Sequence, residues 1–224
     1  MLDNINNNDQ NMRLYAARWF QSNRMYCSMI LPFLTILFDV KVKLKDITID
    51  DATETTFVLV PPIDFSRVNY CFQTINTLIN FHPKNVLRTF SSNAATDAGF
   101  NIPLKDQLGV QPFTFLDYIL FISSLYIEAL LEDDHPKLLD NLTVKQNACK
   151  IISAIFENDR LSISDSVLGF VVYSCTKTLA KQVISDQVYL ELPLAQLLIK
   201  IFDRKRVDIN SRLLKDDPVL SKGN

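Results

Sequence analysis

The sequence predicts a mainly α-helical protein with one small β-ribbon, and three observations carry that prediction. Only 4 of its 224 residues are glycine, and sheet-rich folds need glycine for turns with positive φ. Apolar residues recur at three- and four-residue spacing through most of the chain, the period of a helix face. That period switches once to strict alternation, where Val40, Val42 and Leu44 interleave with Lys41, Lys43 and Lys45.

The elements follow in chain order. Residues 1–9 are polar and read as a flexible leader. Tyr15, Trp19, Tyr26, Ile30 and Phe33 then fall on one face of a first helix, which Pro32 is expected to kink or restart. The alternating stretch and a second one, Thr55 to Val60, make a two-stranded ribbon at about 39–60 that stops at Pro61-Pro62. Asp64 is placed to cap a helix through Phe65, Val68, Phe72, Ile75 and Ile79, ending at His82-Pro83 because a residue before proline disfavours the helical region. A short helical turn follows at Val86, Leu87 and Phe90. Residues 91–112 hold both internal glycines of the loop type and no sustained period, so they read as a loop.

The C-terminal half is more regular. Thr114 with Asp117 forms a capping pattern ahead of Tyr118 to Ile127, a run apolar on nearly every face, as a central buried helix would be. Glu132, Asp133 and Asp134 follow, where a helix dipole prefers cations, so a basic group is expected nearby. Thr143 with Gln146 reads as the capping box of the next helix, whose core stripe is Val144, Ala148, Ile151 and Ile155. A further helix opens around Ser164. Pro193 suits the first turn of the last, with Leu194, Leu197, Leu198 and Ile201 on its apolar side.

The expected organisation is a leader (1–9), an N-terminal helical part (10–112), a C-terminal helical bundle (113–203) and a polar tail (204–224). Short connections favour helices stacked in sequence, which fits either a multi-helix bundle or a short armadillo/HEAT-like helical stack. No repeated consensus decides between them.

Charge and motifs narrow the function classes. A net charge of -2 and a pI near 5.7 give no global field toward nucleic acid or acidic lipid. The four cysteines are scattered without C-x-x-C and the N-terminus lacks a secretory pattern, so reduced thiols in cytoplasm or nucleus are expected. The two longest apolar runs fall short of the roughly 18–20 residues that cross a bilayer. His82 and His135, each followed by proline, are too far apart in sequence for a zinc motif, and no metal or cofactor is expected. No phosphate-binding loop, dinucleotide fingerprint or nucleophile elbow occurs. The acidic pairs, such as Asp50-Asp51, read as solvated turns and helix ends. No enzyme is predicted.

The preferred reading is a non-enzymatic helical module for protein–protein interaction or assembly, a scaffold or structural subunit that binds a protein partner or itself. Tyr15, Trp19 and Tyr26 are its candidate partner contacts, because Trp and Tyr dominate binding hot spots, although helical spacing suits a core stripe as well. The alternative is a nucleic-acid-associated protein, such as a small viral nucleocapsid-type or replication-accessory protein. Its candidate contacts are Lys41, Lys43 and Lys45, about 7 Å apart along one strand face, with Arg204, Lys205 and Arg206. Lysines on an exposed strand also guard against edge-to-edge aggregation, and cations at a helix C-terminus also complement its dipole. Both of these structural roles are preferred.

Overall fold

A computed structural model describes residues 9–12, 14–15, 18, 26–49, 52–81, 83–95, 99–100, 102–131, 138–158, 161–184 and 190–205. The expected class holds: the protein is mostly helical with one small sheet. Helix α1 (Tyr26–Phe38) runs through Pro32 without a restart and buries Ile30, Phe33, Leu34 and Leu37. Strands β1 (Lys41–Ile49) and β2 (Ala52–Val60) pair antiparallel in the register Lys41↔Val60 to Ile49↔Ala52. Helix α2 (Phe65–Phe81) is capped by Asp64, whose carboxylate accepts from the Arg67 N–H at 3.0 Å. After α3 (Pro83–Ser92) the 91–112 segment is largely loop, interrupted by the single turn α4 (Lys105–Leu108) and joined back by an Ala94↔Thr114 bridge. Gly109, with φ 62, supplies the left-handed backbone there.

Helix α5 (Phe115–Glu128) is the centre of the molecule, with all fourteen residues buried. Its N-terminus carries the expected capping box: Thr114 Oγ1 accepts from the Asp117 N–H at 3.1 Å, and Asp117 accepts from the Thr114 N–H at 3.2 Å. The same carboxylate also accepts from the Ser164 N–H at 3.0 Å, which ties the start of α5 to the start of α7. Past α5, Leu130–Leu131 form β3, which pairs parallel with β2 at Val58 and Leu59. The sheet is therefore three-stranded, in the order β1-β2-β3. Two residues are too short to show a period, so the sequence gives no sign of β3.

Helices α6 (Leu138–Phe156), α7 (Asp165–Ile184) and α8 (Glu191–Lys205) complete the fold. Thr143 and Gln146 lie inside α6, which begins at Leu138, so they do not form the capping box the local pattern predicts. The packing also departs from stacking in sequence. Helix α5 packs against α1, α3, α6, α7 and β2, and α8 packs against both α6 and α7. A solenoid repeat touches only its neighbours; a wrapped central helix makes this fold a bundle. Helix α2 packs against α6, so the regions 10–112 and 113–203 share one core.

Candidate functional site

Two features stand out from the helical scaffold, a buried ionic cluster and an apolar outer face on α8. The cluster forms where β2, the C-terminal end of α5 and the middle of α7 meet. Lys177 of α7 reaches Glu54 of β2 at 3.0 Å and Glu128 of α5 at 3.1 Å. Its ammonium also donates to the Thr55 carbonyl and to the Tyr173 hydroxyl. Ser174 donates to the second Glu128 oxygen at 3.0 Å. One turn on, Lys181 donates to Thr56 Oγ1 at 2.9 Å and lies 3.6 Å from Glu54. The first Glu128 oxygen is the one that faces the Lys177 ammonium.

Burial and charge compete here. The Glu128 side chain is wholly buried, which pushes its carboxyl above the usual range against the pull of Lys177, Ser174 and Lys181. Burial alone would lower Lys177, but Glu128, Tyr173 and Glu54 together raise it. Lys181 is lowered, first by burial and then by Lys177, with Glu54 opposing. The cluster is a lock. It ties α7 to the β2 segment that β3 leaves uncovered, with the Lys177 ammonium filling a strand-edge carbonyl.

A second buried lysine does the same for α5. Lys145 of α6 donates to the carbonyls of Ile127 and Ala129, each at 2.7 Å, satisfying acceptors that a helix end leaves open. Burial pulls its ammonium down to about 8. Lys145 thus sets a cation at the end of α5; the acidic cluster Glu132, Asp133 and Asp134, beside which a basic group is expected, lies outside the described residues.

Most of the thiols are buried as well. Cys71, Cys149 and Cys175 are buried and Cys27 is half-buried. Burial pushes Cys71 up to about 11 and Cys149 up to about 12, and it raises Cys27 and Cys175 too, so all four stay protonated and weakly nucleophilic at neutral pH. Among the described residues no group of three His, Cys, Asp or Glu side chains converges as metal ligands. His82 and His135 lie outside the described residues.

The candidate contact residues from the sequence fall in different places. Lys41, Lys43 and Lys45 are all exposed on β1, the edge strand of the sheet. Arg204 and Lys205 are the last two residues of α8, and Arg206 lies outside the described residues. Tyr15 and Tyr26 do not share one surface. Tyr15 is 59% exposed, Tyr26 is 4% exposed inside the core, and Trp19 lies outside the described residues.

The apolar surface that the sequence reading passed over is on α8. Leu194, Leu197, Leu198 and Ile201 face the core as expected, yet Leu192 is 65% exposed and Ile199 61% exposed. They lie seven residues apart, two turns along the outward face, flanked by half-buried Ala195 and Phe202. Both residues lie outside the stripe that the spacing assigns to the core, and exposed Gln196 and Asp203 lie on the same outer side.

Comparison with protein-family models, curated proteins and solved structures finds no match to this chain.

Proposed function

We propose that this protein is a non-enzymatic helical interaction or assembly module, a scaffold or structural subunit whose binding surface is the outer face of α8. The observation that carries this reading is the exposure of Leu192 and Ile199 on a helix whose opposite face is fully engaged with the core. Exposed apolar residues aligned on one rigid element, rather than scattered singly, mark interaction surfaces. The cluster around Lys177 supports the reading by fixing α7, on which α8 packs. The free cysteines suit a reducing compartment, cytoplasm or nucleus. No described helix is long and apolar enough to cross a membrane.

The exposed lysine row of β1 favours one second reading, a nucleic-acid contact. Its place on the sheet edge equally suits an aggregation guard, and we assign it that role. One experiment separates the two readings by comparing two variants of the full chain. Leu192→Glu with Ile199→Glu is expected to abolish recovery of the protein in cross-linked complexes from an extract of its source cells. Changing Lys41, Lys43 and Lys45 to glutamine is expected to leave those complexes intact. Wild-type affinity for single-stranded RNA is expected to be no tighter than about 10 μM near physiological salt, the non-specific range. Submicromolar, salt-sensitive RNA binding that vanishes in the lysine variant would establish the nucleic-acid reading in its place.

A further inference from the structure

We propose that the outward side of α1, α2 and α3 is a contact surface for the phosphate backbone of single-stranded nucleic acid, separate from the α8 face. Charge in this chain is segregated. Residues 10–38 and 65–96 contain Arg13, Arg18, Arg24, Arg67, Lys84 and Arg88 and no acid, while all 25 Asp and Glu lie elsewhere. Helices α1, α2 and α3 fall within those stretches and pack on one another, so one layer of a chain with a net charge of -2 carries cations alone. Arg67, Lys84 and Arg88 are exposed there, and among the described residues none of the three is held in an ion pair. By contrast, Lys177, Lys181 and Lys200 are held within the chain by Glu54, Glu128 and Glu157. Asp64, the acid just ahead of α2, is engaged in capping that helix.

The side chains beside these cations select the kind of polyanion. Exposed with them are Ser66, Gln73 and Asn80 on α2 and Asn85 and Ser92 on α3. Hydroxyls and amides together with Arg and Lys are the side chains that contact phosphate and sugar. A protein partner would be met by an interface core depleted in charge, and an acidic bilayer by an apolar helix face that enters it. Among the described residues of these three helices, Tyr70 is the one large apolar side chain exposed, and its ring lies 6.3 Å from that of Phe33. An exposed ring stacks on any unpaired base, which favours a single strand over a duplex. Lys84 and Arg88 stand one turn apart, whereas Arg67 sits near the far end of α2, about 20 Å along the axis at 1.5 Å per residue. That spread suits an extended strand and not a single small anion.

Fluorescence anisotropy of a labelled oligouridine of about 20 nucleotides, titrated with the full chain, tests the proposal. Three cations give weak, sequence-independent binding, with a Kd of about 10–100 μM near physiological salt. Binding is expected to tighten as salt is lowered, with a slope of about −2 in log K against log salt, since each contact to a single strand contributes about 0.7. Changing Arg67, Lys84 and Arg88 together to glutamine should weaken binding at least about tenfold at 50 mM salt and flatten the slope. All three are exposed, so the variant should keep the wild-type far-ultraviolet spectrum. Glutamine at Lys41, Lys43 and Lys45, or Leu192→Glu with Ile199→Glu, should leave the titration unchanged. Polyglutamate and phosphatidylserine vesicles at equal ionic strength should bind more weakly than the oligonucleotide. Absence of salt-sensitive binding at 50 mM salt, or binding that survives the Arg67/Lys84/Arg88 variant, would overturn the proposal. Equal or tighter binding of polyglutamate or of the vesicles would assign the layer to an acidic protein or a lipid surface instead. None of these results bears on the complexes formed through α8, which are read separately in the extract.

Discussion

Among individual side chains, Glu128 and Lys177 do most to bind distant parts of the chain together. Their ion pair joins α5 to α7, and Lys177 carries the link on to Glu54 of β2. A buried pair of this kind contributes little over an apolar replacement, yet removing one member leaves the other charge in a place where water cannot reach it. Glu128→Gln keeps the shape and the Ser174 contact but removes the countercharge. It is expected to lower stability in urea unfolding by about 3 kcal/mol. Lys177→Met is expected to cost a similar amount, and the two changes together should cost less than the sum of the single changes, because neither charge is then stranded. Additive costs would show that the two groups do not act as a pair.

Helix α5 sets the core at the level of elements. It is buried on every face, so large-to-small changes leave cavities that neighbours from five sides cannot all close. Leu120→Ala and Ile122→Ala are each expected to cost about 2–5 kcal/mol by denaturant titration. A cost below about 0.5 kcal/mol at both positions would contradict the wrapped arrangement. This helix was legible in the sequence because a run apolar on all faces has no solvent side to assign. The β1–β2 hairpin was legible for the converse reason, since its alternation has a period that helices lack. The Thr114–Asp117 cap could be read because it is a contact across three residues. Thr143 and Gln146 match the same pattern and fail, because the helix finds cause to begin earlier, at Leu138. What escaped the sequence depends on partners far away in the chain. Lys177 meets Glu54 across more than a hundred positions, Lys145 finds carbonyls on another helix, and β3 exists only because β2 lies beside it. On α8 the core stripe of Leu194, Leu197, Leu198 and Ile201 was legible from its spacing, whereas the exposure of Leu192 and Ile199 depends on which neighbours the rest of the chain supplies.

For the molecule as a whole, the question is whether the apparent halves of the sequence are separate units. The loop at 91–112 separates them in the sequence, yet the packing crosses it repeatedly. Helix α2 lies on α6, with Asn147 donating to Asn69 across the contact, and Lys177 and Lys181 of α7 hold β2. The buried residues of both regions belong to one cluster, in which Phe38, Phe57, Phe121 and Phe170 make ring contacts from α1, β2, α5 and α7. A region cut from such a core exposes apolar surface that it has no residues of its own to cover. Unfolding of the full chain in urea is therefore expected to be a single transition, with the far-ultraviolet signal of the helices and the near-ultraviolet signal of the tyrosines changing at one midpoint. Residues 113–205 expressed alone are expected to show no cooperative transition, because β2 and α2 no longer cover α7 and α6. Two separated midpoints in the full chain, or a sharp transition in the isolated segment, would show that the 91–112 loop divides two independent folding units after all.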